Sequence, residues 1–240
     1  MSTLPHARCW AVVPAAGKGA RMEAETPKQY FPLLGKSILE HTLTRLADHP
    51  QIAGLVVVIA PDDEYWPAVA SRLPPVTVVT GGAERCHSVL NALQSLAMSA
   101  APTDWVLVHD AARPCVHADD ITRLIARCEA EPTADGGLLG MAVRDTLKRC
   151  DAAGGVMGTV DRSGLWHALT PQMFRLARLR TALETVLAAG VLVTDDAQAI
   201  EHIGGAVRIV EGRADNLKVT RPQDLILAEL FLRAQLKETL

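Results

Sequence analysis

The sequence has no closely spaced pair of cysteines. Its five, Cys9, Cys86, Cys115, Cys128 and Cys150, are odd in number and dispersed, and none shows the short spacing of a zinc site. That argues against a disulfide framework or a structural metal. Free thiols in a reducing cytoplasm, most of them filling the core, are the expectation. Aromatic residues make up only 4%, so aliphatic packing must dominate. Positive charge is not in excess: 24 Lys and Arg face 27 Asp and Glu, for a net charge of −3. Wholesale nucleic-acid binding, which prefers a basic face, has no support, and any anion site must be local. No apolar run approaches the ~18 residues of a membrane span. Arg8 is followed by too few apolar residues before Pro14 for a secretory signal. Repeats and low-complexity segments are also missing. What is there is 240 residues, 49% hydrophobic, sufficient for one large domain or two small ones with a substantial core.

The chain is organised around Val12 to Tyr30. Ala11-Val12-Val13 is a short apolar run of the kind that forms a buried parallel strand. Pro14 lacks an N–H and should end it. Ala15-Ala16-Gly17-Lys18-Gly19 has little or no side-chain bulk, so backbone N–H groups can close on an anion. Two cations follow: Arg21, and Lys28 after Pro27. A small-residue loop leaving a strand, with fixed positive charge behind it, suits a polyphosphate. The spacing is neither that of a dinucleotide fingerprint, because Met22 stands where the third glycine belongs, nor that of a Walker A loop.

Further along, Ile38, Leu39, Leu43 and Leu46 share one helical face, and Leu55 to Ile59 is a strand covered on both sides. A helix over Asp62 to Leu73 and a strand over Val76 to Val79 follow. This alternation predicts a right-handed α/β sheet. Gly81-Gly82 makes a second glycine turn, entering a helix from Ser88 to Ala97, with Arg85 and Ser88 neighbours at its start. Such turns sit at carboxyl strand ends, where α/β sheets collect ligands. The strand Trp105 to Val108 runs into His109-Asp110. A carboxylate at the end of a central strand, facing a phosphate loop, is a natural Mg²⁺ ligand, since Mg²⁺ takes one or two protein carboxylates plus water and phosphate oxygens. His109 reads as a structural, hydrogen-bonding residue.

A helix is predicted over Ala118 to Glu131, then a turn and strand to Val143. Arg144 to Arg162 reads as a polar β-hairpin around Asp151 to Gly155, with too few apolar side chains for a core of its own. It should lean on a second subunit or fold over its own site. Thr170-Pro171 fits an N-cap and first helical position. The helix it opens ends near Gly190. Asp195 and Asp196 start another helix, to Ile203. Val207 to Glu211 is a strand. Thr220 to Gln223 is a capping-box pattern opening the last helix, to about Leu236.

Five blocks, PAAGKGARMEAETPKQY, GGAERCHSV, HDAARP, TVDRSGLWHALTPQMF and GRADNLKVTRPQDL, resemble in order and spacing the 2-C-methyl-D-erythritol 4-phosphate cytidylyltransferase family, over about Ala11 to Glu229. The resemblance implies a Rossmann-like α/β nucleotidyltransferase fold: a mostly parallel twisted sheet flanked by helices, with a protruding β-arm over residues 141–164 that makes a homodimer by arm exchange. It implies transfer of CMP from CTP to 2-C-methyl-D-erythritol 4-phosphate, with Mg²⁺ or another divalent cation and release of pyrophosphate, for non-mevalonate isoprenoid synthesis. By the same resemblance, Arg21 and Lys28 stabilise the pentacoordinate phosphate. Ala15, Ala16 and Gly17 surround CTP. Gly82, Ala83 and Ser88 read cytosine, accompanied by Arg85. Where the family can carry an aspartate at position 83, alanine leaves only a backbone contact. Asp110 lies at the metal, and Ala111 lies beside the nucleotide. Arg162 and Lys218 hold the acceptor, and Arg113, Thr146, Thr170 and Thr194 line its pocket. The remaining alternatives are a ribitol-5-phosphate cytidylyltransferase and a nucleotide-binding module without turnover. A fused downstream cyclase domain and membrane association are not expected.

Overall fold

The computed structural model describes residues 7–17 and 26–238. Strand β1 (Cys9–Pro14) leads to the small-residue loop. A 3-10 turn at Lys28–Tyr30 follows, then a small hairpin of β2 (Pro32–Leu33) and β3 (Lys36–Ser37). Next come α1 (Ile38–Ala47), β4 (Ile52–Ile59), α2 (Trp66–Ala70), β5 (Thr77–Thr80), α3 (Arg85–Leu96), β6 (Trp105–Val108) and α4 (Ala118–Ala130). The second half runs β7 (Gly136–Ala142), β8 (Leu147–Cys150), β9 (Val156–Val160), β10 (Trp166–Arg175), α5 (Leu176–Ala188), α6 (Asp196–His202), β11 (Val207–Glu211) and α7 (Pro222–Glu238).

Seven strands form the main sheet in the order β11-β7-β10-β6-β1-β4-β5. β10 runs antiparallel to both neighbours, and every other pairing is parallel. The period of two along each strand sorts side chains to opposite faces. Ala11 and Val13 pack with Leu39 and Leu43 of α1 and Leu124 of α4, while Val12 packs with Val89 and Leu93 of α3 and Leu179 of α5. The result is three layers, helix, sheet and helix, as the apolar runs require. A smaller cluster of Leu33, Ile38, Cys115, Val219, Ala228 and Leu232 seats α7. The chain moves outward from β1 through β4 to β5, then returns to β6 on the other side of β1. That reversal opens a crevice at the carboxyl ends of β1 and β6, the usual ligand position of such sheets.

Four local expectations are corrected. The helix over Asp62 to Leu73 shrinks to α2. The Asp63 carboxylate accepts the N–H groups of Tyr65 and Trp66 in a turn, and Pro67 is tolerated only in a first helical turn. Arg72 and Leu73 close with hydrogen bonds three residues back. Thr170-Pro171 does not open a helix but lies inside β10. The β10 register with β7 breaks between Ala168 and Gln172, so Pro171 occupies a place where the ladder requires no N–H. α3 begins at Arg85, three residues before the expected start. At α7 the cap is Asp224, whose carboxylate accepts from the N–H groups of Thr220 and Arg221 and the Thr220 hydroxyl, rather than Gln223. The β2–β3 hairpin had no sequence signal beyond Gly35. Its two loop residues, Leu34 and Gly35, have φ of 48° and 79°, the primed-turn geometry that a two-residue hairpin favours.

The polar hairpin is present as a separate two-stranded sheet of β8 and β9. Asp151 closes its turn, accepting the N–H groups of Ala153 and Gly155. Val156 and Met157 on it are 66% and 69% exposed, so within one chain these apolar side chains have no cover.

Candidate active site

At the end of β1, the Ala15 N–H donates to Val58 O at 2.7 Å, which carries the loop past the strand. β6 ends beside it, with the His109 N–H donating to Val12 O at 2.9 Å. Asp110 therefore emerges next to the loop. A cleft of about 110 Å³ lies there, lined among others by Ala15, Gly17, Lys28, Gln29, Arg85, Asp110, Ala111 and Lys218. Residues far apart in the chain thus meet at one crevice.

Asp110 is its electrostatic centre. Its carboxylate meets Lys218 Nζ at 3.0 Å, Arg113 Nε at 3.2 Å and Arg85 Nε at 3.4 Å. Burial opposes its charge, but Arg85, Lys218 and Arg113 outweigh burial and hold the carboxyl well below the usual range. Arg85 also reaches Asp196 at 2.8 Å. Asp196 is fully buried. Burial pushes its carboxyl up, with Arg85 offsetting only part of that. By sequence Asp195 and Asp196 are alike, two acids at a helix start. The structure divides them: Asp195 caps α6 through the Gln198 N–H, and Asp196 grips an arginine of the site. Adjacent acids at a helix start were the available signal, since one suffices as a cap.

His109 and Thr170 fix Asp110 from behind. His109 Nε2 lies 3.1 Å from Arg113 O, and its Nδ1 lies 3.0 Å from Thr170 Oγ1. A carbonyl only accepts, so Nε2 carries the proton and Nδ1 accepts from the threonine hydroxyl. That hydroxyl in turn accepts the Asp110 N–H at 3.1 Å. Thr170 is buried with its proton committed. Asn216 extends the frame, its side-chain amide donating to Thr170 O at 2.8 Å while its backbone carbonyl accepts from Arg113 Nη1 at 2.7 Å. The Val219 N–H donates to Ala112 O, which places Lys218 beside Asp110.

Burial lowers the His109 pKa to about 4, against about 6.5 in an unfolded chain. Between these values the unfolded chain binds more protons than the native one, so stability is lost as pH falls from 6.5 towards 4. The expected loss is about 3 kcal/mol. Urea unfolding at pH 7, 5.5 and 4.5 should show this slope, reduced in His109→Asn. An unchanged slope in the variant would assign the protons to other groups.

The second glycine turn faces the first loop. A side chain at Gly81 would collide with the Ala16 Cβ, so a glycine is required for the two turns to approach. Ser88 Oγ accepts the Gly82 N–H at 3.1 Å and donates to Glu84 O at 3.2 Å, which sets the turn's shape. Ala83 is exposed beside it.

A second cavity of about 330 Å³ adjoins the first and shares Lys218 with it. Its lining includes Arg113, Met141, His167, Arg213 and Asn216. Of the remaining expected site residues, Thr146 and Arg162 are exposed at the arm, where Arg162 Nη1 donates to Arg144 O. Thr194 is exposed before α6 and binds Gln198. None of these three lines either cavity. Arg21 lies outside the described residues. Among the described residues no group of three His, Cys, Asp or Glu side chains could hold a metal. Asp110 fits Mg²⁺ only as a lone carboxylate ligand whose ion brings its other oxygens from phosphate and water.

A sheet of this topology, with a small-residue loop and a cation-ringed carboxylate at its switch point, is that of the nucleotidyltransferases. The family model described as 2-C-methyl-D-erythritol 4-phosphate cytidylyltransferase matches residues 9–234, and the chain belongs to this family. A relative of that name from Aeromonas hydrophila is 56% identical over 226 residues, 94% of this chain and 90% of the relative. Another, from Pseudomonas fluorescens SBW25, is 55% identical over 218 residues, 90% of this chain and 92% of the relative. A crystal structure of a 4-diphosphocytidyl-2C-methyl-D-erythritol synthase matches with a TM-score of 0.82 at 38% identity, covering 94% of this chain and 99% of that one. The Francisella tularensis cytidylyltransferase matches with a TM-score of 0.81 at 33% identity, covering 94% and 100%.

Proposed function

We propose that the protein transfers CMP from CTP to 2-C-methyl-D-erythritol 4-phosphate, releasing pyrophosphate and forming 4-diphosphocytidyl-2-C-methyl-D-erythritol for isoprenoid precursor synthesis. The observation that carries this reading is one carboxylate, Asp110, held by Arg85, Arg113 and Lys218 at a cleft that Lys28 also lines, beside a bare-backbone loop.

The acceptor phosphate oxygen attacks the α-phosphorus in line, and pyrophosphate leaves. The acceptor is already an anion, so no enzyme nucleophile is needed. The barrier is the approach of two anions and the charge gathering at phosphorus, which positioned cations lower. Lys28, with Arg21, stabilises that charge. Ala15, Ala16 and Gly17 offer backbone to the triphosphate, and Gly82, Ala83 and Ser88 form the cytosine turn beside Arg85. Lys218 lines both cavities and Arg113 lines the second, where an acceptor phosphate can meet the nucleotide. Asp110 holds these cations in the resting site and is, among the described residues lining the cleft, the carboxylate placed to share a divalent ion. When bound, Mg²⁺ neutralises phosphate charge.

Arg162 and Thr146 belong to the arm and line neither of the two cavities described above. They are therefore read as residues given to a second copy's acceptor site, in a homodimer built by arm exchange. Exposed Val156 and Met157 support that reading. Free thiols support a cytoplasmic location, and no helix of the described residues is long and apolar enough to cross a membrane.

The test is pyrophosphate release from the four nucleoside triphosphates, with 2-C-methyl-D-erythritol 4-phosphate, ribitol 5-phosphate or no acceptor. Release is expected with CTP and the methylerythritol acceptor alone. Release with ribitol 5-phosphate instead would move the protein to the other cytidylyltransferase class, and no release under any condition would leave a binding module.

A further inference from the structure

Gln29 is buried, 4% exposed, and sits against Ala15 to Gly17, the described part of the small-residue loop. Its side-chain nitrogen donates to Ala15 O at 2.6 Å and to Gly17 O at 3.2 Å. Both neighbours are carbonyl oxygens, which fixes the amide with its nitrogen toward them. The turn that carries it is pinned from the other side. The Tyr30 hydroxyl donates to Asp63 at 2.8 Å, and the Tyr30 ring stacks on Tyr65 with centroids 5.1 Å apart. Lys28 Nζ donates to Val219 O at 3.3 Å. Gln29 and Lys28 line the same cleft as Ala15 and Gly17.

We propose that Gln29 is a positioning residue of the nucleotide site, whose carboxamide draws the loop carbonyls away from the triphosphate and sets Lys28 in register with the loop. This rests on the CTP reading above. A trans peptide holds a carbonyl and the following N–H in opposite directions. With the Ala15 carbonyl turned to Gln29, the Ala16 N–H is turned away from it. A loop carbonyl rotated into the cleft would face phosphate oxygens, a repulsion of like partial charges. Residues as small as Ala15, Ala16 and Gly17 resist such rotation weakly by themselves. A single NH₂ group with two donors holds both carbonyls, whereas an ionised glutamate of the same length only accepts.

The experiment is calorimetric titration of CTP, without acceptor, into wild type, Gln29→Glu and Gln29→Met, with unfolding midpoints measured on the same samples. At pH 8, CTP binding is expected to be ~10–100-fold weaker in both variants, the glutamate being worse. The KM of the acceptor should stay within about twofold, a split that general loosening of the fold would not give. Lowering the pH through the carboxylate range, about 4–6, turns the new glutamate into an O–H donor. Its CTP affinity relative to wild type should then recover, while that of Gln29→Met should not. CTP affinity equal to wild type in folded Gln29→Met, or no relative recovery in Gln29→Glu, overturns the proposal. Absence of CTP binding by wild type would overturn the nucleotide reading as well, so the two failures are distinguishable.

Discussion

Lys28→Ala is expected to lower turnover by ~10²–10³, the loss typical when a donor aimed at transition-state charge is removed. Lys28 lies in the cleft near the loop and makes a 3.3 Å contact to Val219 O, a neutral partner that a phosphate oxygen can outcompete. Its side chain is only partly buried, and the fold keeps its anchors at Gln29 and Tyr30, so stability should change little. Steady-state pyrophosphate release separates these effects: kcat falls, while the KM of CTP moves less. Near-normal turnover would remove Lys28 from the chemistry. The same variant tests the arm. Chains carrying Lys28→Ala, mixed with chains carrying Arg162→Ala, should form some dimers with one intact composite site. Activity should rise above that of either parent. Activity no higher than the parents would mean that each chain completes its own site.

Asp110→Asn should have the second large effect, and it should damage fold and function together. The carboxylate balances three cations within 3.4 Å, and its side chain is 10% exposed. Removing the charge leaves those cations crowded in a poorly solvated site. Breaking a buried ion pair from one side costs about 3–5 kcal/mol. The sign with pH follows from the lowered carboxyl. Asp110 contributes its stability above the ordinary aspartate range, about 4, and loses it only as pH falls below that range. The gap between wild type and variant in urea unfolding should therefore be wide at pH 7 and narrow under strong acid. Turnover should fall by at least ~10² through the misplaced cations. A variant as stable as wild type at pH 7 would contradict this account of Asp110.

The parts of the fold legible in the sequence were those carried by short, fully apolar runs. β1, β4 and β6 are buried on both faces, so their composition has few other solutions. The buried face of α1 was legible from the spacing of Ile38, Leu39, Leu43 and Leu46. Failures came where tertiary contacts outvoted a local signal. Thr170-Pro171 has the chemistry of a helix start, but a central place between β7 and β6 holds it in the sheet. Asp62 to Leu73 has helical spacing, but Asp63 and Pro67 convert its first half into a turn. In the site, the loop residues, Lys28 and Asp110 could be singled out locally, because strand ends and small residues mark them. Arg113 and Lys218 were reached by resemblance; for Lys218 nothing local says that a residue so far along the chain touches Asp110, whereas Arg113 stands three residues from it. Gln29 and Asp196 were passed over because their partners, two carbonyls and an arginine, are visible only once the chain is folded.

The order in which the site is assembled follows from the sheet. Synthesis delivers the amino-terminal strands first, and β1, β4, β5 and β6 can pair without the rest of the chain. A nascent protein at that stage holds the small-residue loop, Arg85 and Asp110. It still lacks Asn216, Lys218 and the Val219 link to Ala112. A ribosome-bound fragment that ends after Arg113 and short of Lys218 would therefore present a carboxylate missing one of its three cationic neighbours. The capacity to bring two anions together arrives with the last quarter of the polypeptide.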